Sequence, residues 1–353
     1  MTVPLVLGGV SFSAAAAYAP APRPRGTAYR NVKNYGALGN GTSDDTAAIQ
    51  AAINSLPSTG GTVYIPSGTY LIDPTKRITL RSYMLLNMDP NATLKAKTNS
   101  ATRSYILNVT GRTNVEIAGG KLIGDRDTHH YVSGSTSEWN HGIGINGGSH
   151  ITVRDLYVAK CAGDGVCLGG GASDVVIANI VSTQNRRQGL SLTRCNGIRV
   201  YNSEFSYTKG TSPQCGIDIE PDGTSTAYDI VIQNCSLKYN AMYGINIWKR
   251  VSNVTLTGNT IERNESCGAV TNYCSGIHFV GNTVRYNSAT GIFIRDGSSS
   301  VNVTGGVSYG NYTRSGIKTR TPFTLTGWAS KIERDILIRG TVGGIAIQTN
   351  SYK

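Results

Sequence analysis

The sequence has few acidic residues, few helix signals and no long apolar run after its first residues. Of its 353 residues, 21 are Asp or Glu and 15% are charged, whereas 43 are glycine. Together with frequent Val, Ile and Thr, this composition favours short strands and tight turns over helices. Because nothing beyond residue 25 approaches the about 20 apolar residues of a spanning helix, we predict no membrane partner.

Nucleic-acid recognition and zinc binding are also disfavoured. The net charge of +12 favours polyanionic partners, but no basic run is interleaved with aromatic residues, so we predict no nucleic-acid partner. No CxxC pair and no zinc-ligand spacing of His and Cys occurs. We therefore expect the seven cysteines to be buried thiols rather than a disulfide framework, with Cys267 and Cys274 as the pair best placed for a bridge.

The most regular feature is a repeated phrase, a glycine followed by alternating aliphatic residues. The glycines are separated by 23, 24, 27, 28, 24, 23 and 25 residues, and they are Gly142, Gly165, Gly189, Gly216, Gly244, Gly268, Gly291 and Gly316. This period is typical of solenoids, in which each repeat covers the apolar face of its neighbour. Alternation predicts that residues one and three after each glycine point inward, and residues two and four outward along one sheet. Two further strands fit into each repeat.

Residues 29–70 predict a helix and a strand before the repeats begin. Ser43, Asp44 or Asp45 can cap a helix of about ten residues with Ile49 and Ile53 on one face, and a strand ends at Pro66. This segment resembles the N-terminal cap of the pectate-lyase-like right-handed parallel β-helix superfamily, and the repeats resemble its coils. The resemblance implies an all-β, right-handed parallel β-helix with three strands per coil and a short N-terminal capping helix. It implies one domain over residues 29–353, with a cap at 29–70 and coils at 71–353.

The first 28 residues are predicted to be an export segment and a linker. Val3 to Tyr18 is apolar and alanine-rich and runs into Ala17-Tyr18-Ala19-Pro20, which fits a small-x-small cleavage site, although a basic n-region is missing. Ala21 to Arg25 has the composition of a linker. We therefore predict a secreted, extracellular or periplasmic protein.

Only one repeat places acids at both outward positions. Asp218 and Glu220 lie two and four residues after Gly216, between the two longest intervals, and Asp222 follows. Alternation puts their α-carbons about 6.6 to 7 Å apart on one face. Such a pair suits acid and base chemistry or a divalent cation, so Ca²⁺ held by Asp218, Glu220 and Asp222 is predicted as a possible cofactor. The alternative is that the acids are solvated partners of Arg194 or Lys249.

Residues from neighbouring repeats can surround these acids. A polar row directly before the glycines, together with basic residues on the next coil, gives further catalytic candidates: His141, Asp164, Arg187 and Lys249. Aromatic rings can stack on sugars, and basic side chains can neutralise uronates or sulfates. The predicted substrate-binding residues are Arg126, His130, Glu138, Trp139, Arg194, Tyr243, Trp248 and Arg250.

Two enzyme groups within the superfamily provide more specific resemblances. Residues 215–221 are similar to the catalytic strand of alginate C5-epimerases, but Cys215, Ile219 and Glu220 stand where those enzymes have tyrosine, proline and histidine. Lyases of the chondroitinase B and alginate lyase type place two acids at i and i+2 to bind calcium, which matches Asp218 and Glu220. Their following lysine is not at the matching place.

We therefore predict an enzyme that acts on an anionic polysaccharide in the groove over the first sheet. The leading hypothesis is a lyase that cleaves a uronate-containing glycan by β-elimination, because proton abstraction next to a carboxylate needs charge neutralisation and a base. A glycoside hydrolase that uses Asp218 and Glu220 as acid and as base or nucleophile is the second hypothesis. A uronan C5-epimerase and a non-catalytic glycan-binding solenoid are the remaining alternatives.

Overall fold

A computed structural model describes residues 17–132, 137–311, 323–333, 335–348 and 351–352. The described chain is almost entirely β-structure and forms a parallel β-helix. Its strands belong to an 18-stranded sheet and a 12-stranded sheet, and within the described chain the strand pairs are parallel except for one antiparallel pair near the C-terminus. In the central coils, three strands form each turn of the solenoid.

The N-terminal part contains both described helices and nine strands. In chain order these elements are β1 (Ala28–Asn31), a 3-10 helix (Val32–Tyr35), β2 (Asn40–Asp44), α1 (Thr46–Asn54), β3 (Gly61–Ile65), β4 (Gly68–Ile72), β5 (Ile78–Thr79), β6 (Met84–Met88), β7 (Ala92–Ala96), β8 (Arg103–Ala118) and β9 (Lys121–Ile123).

The coils follow. Their strands are β10 (Trp139–Arg154), β11 (Tyr157–Ala159), β12 (Val166–Gly169), β13 (Ala172–Ala178), β14 (Val181–Thr183), β15 (Gln188–Leu192), β16 (Cys195–Tyr201), β17 (Glu204–Ser206), β18 (Cys215–Ile219), β19 (Ala227–Gln233), β20 (Ser236–Lys238), β21 (Ile245–Thr257), β22 (Thr260–Glu262), β23 (Ala269–Val280), β24 (Thr283–Arg285), β25 (Ile292–Ile294), β26 (Ser299–Thr304) and β27 (Val307–Tyr309). The chain ends with β28 (Phe323–Glu333), β29 (Ile336–Ile347) and β30 (Ser351–Tyr352).

The repeated glycines form a column in which consecutive coils approach closely. A Cβ built on Gly189 would lie 2.6 Å from the carbonyl oxygen of Gly216, and one on Gly216 would lie 2.7 Å from that of Gly244. No side chain fits at such a distance, so close coil stacking accounts for the recurrence of glycine. The phrase at Gly316 lies outside the described residues.

The predicted inward positions are confirmed, because Ile217, Ile219 and their equivalents are fully buried. The outward positions differ from a simple solvated face. Ser191, Asp218 and Asn246 point away from the core, yet 4% or less of each is exposed. Polar side chains of adjacent coils cover them. The interpretation of Asp218 as a solvated partner of a surface base is therefore wrong.

Helix α1 begins close to the predicted place. Asp44 Oδ1 accepts the backbone N–H of Thr46 at 3.0 Å, whereas the Asp45 carboxylate accepts the N–H groups of Leu38 and Gly39. Asp44 therefore supplies a side-chain hydrogen bond at the start of the helix, as predicted, and Asp45 stabilises the preceding turn through its hydrogen bonds to Leu38 and Gly39. Ile49 and Ile53 are buried. The role of this helix as a cap of the solenoid stays a prediction.

All seven cysteines lie within the described chain and all are free. Cys167 is half-buried and the others are buried, which confirms the buried thiols. The predicted bridge between Cys267 and Cys274 is wrong. Both thiols are free, and Cys267 lies before β23 whereas Cys274 lies within it, after the left-handed backbone of Tyr273.

The segment predicted as a linker lies against the coils. Arg23 pairs with Asp174 at 3.0 Å, and Arg25 pairs with the buried Glu116 at 2.9 Å. The ring of Tyr18 lies 4.1 Å from that of Tyr201. Most of the predicted export segment, residues 1–16, lies outside the described residues. Among the described helices, none is long and apolar enough to cross a membrane.

Candidate active site

A cleft lies over the outer face of β12, β15 and β18. It contains about 520 Å³ of space, part of it open to solvent. Its lining comes from several coils, because equivalent residues of successive repeats stack in register, as Cys167, Ser191 and Asp218 do. The lining residues are Glu138, Trp139, His141, Asp164, Cys167, Arg187, Ser191, Thr193, Asp218, Glu220 and Asp222.

The cleft brings together many of the predicted site residues. Five catalytic candidates line it: His141, Asp164, Arg187, Asp218 and Glu220. Glu138, Trp139 and Asp222 join them. Cys167, Ser191 and Thr193 were not predicted, although the first two stand at the same outward position of the repeat as Asp218. Their shared position, two residues after a repeat glycine, was the signal that could have identified Cys167 and Ser191.

Asp218 is held between amide groups of the two adjacent coils. Gln188 Nε2 donates to Asp218 Oδ2 and Asn246 Nδ2 donates to Asp218 Oδ1, each at 2.9 Å. Gln188 is fixed in turn, because its Oε1 accepts the N–H of Cys215. Burial raises the pKa of Asp218 to about 7, and the charge of Glu220 adds to this, against the Asn246 hydrogen bond and Arg187. This carboxyl can gain and lose a proton near neutral pH.

Glu220 lies nearer the surface and is half-buried. Burial also raises its pKa, and the charge of Asp222 adds to the increase. The positive charges of Arg187, Lys249 and Arg250 act in the opposite direction. Glu220 therefore makes the field at Asp218 more negative.

His141 is fixed in one neutral tautomer. Its Nδ1 accepts the backbone N–H of Asp164 at 3.0 Å, so the ring hydrogen is on Nε2. Burial lowers the pKa of His141, although Asp164 opposes this. Nε2 is buried and has no hydrogen-bond partner among the described residues. His141 therefore offers an unused N–H donor.

Asp164 and Arg187 form a charged pair behind this histidine. Asp164 Oδ2 accepts the Ser191 hydroxyl at 2.8 Å and lies 3.4 Å from Arg187 Nη1. Arg187 Nε lies 3.3 Å from Glu138. Asp164 Oδ1 is buried, and no described group is bonded to it. Unpaired buried polar atoms of this kind are rare and need an explanation.

The other predicted residues do not line the cleft. Lys249 and Arg250 have positive φ angles of 50° and 54°, and the register of β21 shifts there, so the alternation on which their prediction rested is broken. Arg250 instead donates to the carbonyls of Ser225 and Pro221. The remaining residues outside the lining are Arg126, His130, Arg194, Tyr243 and Trp248.

The predicted calcium site stays a prediction. Asp218, Glu220 and Asp222 do not bring three ligand atoms within 4.8 Å of one another, and each Asp218 oxygen accepts one amide hydrogen. Within the described chain, the group with three ligand atoms inside 4.8 Å is His141, Asp164 and Cys167 instead. That group does not suit a metal, because the only free nitrogen of His141 carries its hydrogen and Arg187 lies beside Asp164. No step of the chemistry below therefore uses a metal.

Comparisons with known proteins place this geometry in context. Residues 94–249 and 212–333 match the right-handed β-helix region model, and residues 29–126 match the model described as rhamnogalacturonase A/epimerase, pectate lyase-like. An uncharacterized Bacillus subtilis protein, YclG, is 30% identical over 67% of this chain and 45% of its own length.

Two further proteins illustrate different uses of the fold. The mannuronan C5-epimerase AlgE2 of Azotobacter vinelandii is 27% identical over 62% of this chain and 25% of its own length. The structure of PfbA, a surface adhesin of Streptococcus pneumoniae, has a TM-score of 0.72 and 16% identity, covering 92% of this chain and 90% of that one. The chain spans about half the length, or less, of the curated relatives it matches. It belongs to the right-handed parallel β-helix family of pectate lyase-like proteins.

Proposed function

We propose that the protein is a polysaccharide lyase that removes the C5 proton of a uronate residue and cleaves the chain by β-elimination. The observation that carries the proposal is the buried carboxyl of Asp218, which has a pKa of about 7. It lines the same cleft as the positively charged Arg187. A general base is most effective when its pKa is near the working pH. The expected location of the enzyme is outside the cytoplasm.

Charge neutralisation comes from two groups that lie two coils apart. Removal of the C5 proton moves negative charge onto the uronate carboxylate. Arg187 supplies a cation there, and the free Nε2–H of His141 supplies a hydrogen bond from a neutral imidazole. Donors fixed in a buried site act without reorganisation when this charge develops, and each is worth roughly 100- to 1,000-fold in rate.

Asp218 can complete the reaction without a second acid. Its carboxylate takes the proton from C5, the C5 electron pair forms the C4–C5 double bond, and the C4–O4 bond breaks. The protonated Asp218 then returns this proton to the leaving oxygen. A pKa near 7 suits both halves of the cycle.

C5 epimerisation is the second candidate, and the similarity to a mannuronan C5-epimerase favours it. It begins with the same proton abstraction but returns a proton to C5 from the opposite side of the ring. That step needs a second proton donor, for which Glu220 is the candidate because its pKa is raised.

The shared first step is tested by incubating the protein with mannuronan and polygalacturonate in deuterated water. Absorbance of an unsaturated sugar reports elimination, which leaves C5 without a hydrogen, whereas deuterium at C5 with a changed sugar configuration reports epimerisation. We expect unsaturated product, and D218N should reduce its rate of formation by roughly 100- to 10,000-fold.

D229N is the matched control, since Asp229 is a half-buried acid on the second strand of its coil that pairs with Arg199 at 2.9 Å. It should keep wild-type rates. Absence of unsaturated product on every uronate polymer, or a wild-type rate in D218N, would contradict the proposal. Reducing ends without unsaturation would indicate hydrolysis, and retention on a glycan column without turnover would indicate a binding protein.

A further inference from the structure

Two arginines that lie on tryptophan rings flank the cleft, one toward each end of the solenoid. Toward the N-terminus, the Arg103 guanidinium carbon lies 4.7 Å from the Trp139 ring centroid. Toward the C-terminus, that of Arg295 lies 5.0 Å from the Trp248 ring and 5.4 Å from the Phe293 ring. Aromatic faces hold a guanidinium in place without using its hydrogen-bond donors.

The register between coils determines where both arginine–tryptophan pairs lie. Trp139 lines the cleft and is paired in register with Arg103. Phe293 stands in the same outward column as Asp218, reached through Asn246 and Val270. Arg295, two residues later in the same repeat, belongs to the column of Glu220. Arg103 is in register with a residue three places before the repeat glycine and Arg295 lies four places after it, so a polymer that meets both arginines crosses the cleft obliquely.

Neither arginine has a carboxylate partner among the described residues. Arginines elsewhere on the coils do: Arg199 pairs with Asp229, and Arg285 pairs with Glu262 at 2.6 Å. Residues 312–322, which lie outside the described chain, contain no Asp or Glu. Arg103 is exposed and Arg295 is half-buried, so the donors of both can reach a ligand.

We infer that Arg103 and Arg295 are carboxylate-binding subsites for a long anionic polysaccharide that crosses the cleft. The inference rests on the proposed function, because it assigns the ends of the same substrate groove. A planar guanidinium binds a carboxylate with two parallel hydrogen bonds, which a sugar hydroxyl cannot reproduce. Strands β8, β10, β12, β15, β18, β21, β23 and β25 succeed one another between the two arginines.

The separation determines the class of ligand. Seven steps between these strands, at about 4.8 Å each, put the two arginines about 34 Å apart along the axis. A disaccharide cannot contact both, whereas a long uronate oligomer can contact both and the acids between them. The substrate is therefore a polymer segment that carries repeated negative charges.

The test measures binding of mannuronate oligomers to the D218N protein by titration calorimetry, with H141L as a second inactive background if D218N does not fold. Long oligomers should bind roughly 10- to 100-fold more weakly to R103A or R295A, the usual effect of losing a charged hydrogen bond. Disaccharide binding should be unchanged. R295K, which keeps the charge but not the planar fork, should recover only part of the affinity.

R199A is the matched control, because it removes an arginine from the second strand of a coil, and neutral cello-oligosaccharides control for sugar stacking. Unchanged binding of long oligomers to both R103A and R295A would overturn the inference, as would an equal loss for neutral oligomers. A failed inference with intact formation of unsaturated product leaves the proposed function standing. Arginine-dependent binding without unsaturated product removes the enzyme and retains the subsites.

Discussion

Acidic side chains on the outer face of the first strand of the coils differ in burial and in charged partners from those on the outer face of the second strand. On the second, Asp174 and Asp229 are matched by Arg23 and Arg199 and remain partly exposed. On the first, Asp218 is buried between amides and lacks a direct cation partner. Burying a carboxylate in this way costs stability, and carboxylates with pKa values shifted by burial are concentrated at functional sites. Unmatched polar groups, rather than the number of charges, therefore mark the functional face.

The largest expected effect that tests this contrast is on His141. H141L removes the unpaired Nε2–H and should lower the rate of formation of unsaturated product by roughly 100- to 1,000-fold, the usual cost of losing one fixed donor to a developing charge. H141Q should keep much of the rate. A glutamine amide can accept the Asp164 N–H and still donate, as Gln188 does toward Cys215 and Asp218.

The matched control is H150L, since His150 is exposed on the second strand and lies 3.6 Å from Asp174. Its rate should equal that of the wild type. If H141Q were as slow as H141L, the histidine would act by something other than hydrogen-bond donation. If H141L were as fast as the wild type, His141 would have no role in the reaction.

The sequence predicted the fold because its signals are local and repeated. Gly189 and Gly216 recur where each coil approaches the next one, and Ile217 and Ile219 alternate with outward residues. Counting positions from the repeated glycines identified Asp218 and Glu220 as outward residues. The polar row directly before the glycines identified His141, Asp164 and Arg187. These positions depend only on the period and on strand alternation.

What could not be predicted depends on contacts between coils. Burial of Asp218 follows from Gln188 and Asn246, which belong to other repeats. Lys249 does not line the cleft, because its left-handed backbone conformation interrupts the inward and outward alternation. No residue type in the sequence predicts a left-handed backbone at this position. The tautomer of His141 follows from a backbone N–H twenty-three residues later in the chain.

A smaller effect is expected in the pH dependence of catalysis. The pKa of Asp218 is raised from 3.8 to about 7, so its base form appears only as the pH rises through about 7, and the rate should rise with it. E220Q removes a negative charge that raises this pKa. The rising limb should therefore move to lower pH, by roughly half a unit to one unit.

The measurement is kcat/KM for unsaturated product between pH 5 and 9. D222N is the control, because Asp222 is exposed and is not among the groups that shift the pKa of Asp218. It should leave the limb near its wild-type position. A shift to higher pH in E220Q, or no pH dependence near 7, would mean that Asp218 is not the base.

The smallest effect is expected on the second face, where the ion pair between Arg199 and Asp229 is about one-third exposed, at 32% and 42%. Water and salt screen such a pair, so R199A should lower the free energy of unfolding by about 0 to 1 kcal/mol. Urea unfolding at low and high salt checks this, and the difference from wild type should shrink as salt increases. Because Arg199 lies outside the cleft, the rate of formation of unsaturated product should not change. A loss of several kcal/mol, or a slower reaction, would show that the second face is more than a solvated surface, and the contrast between the two faces would then fail.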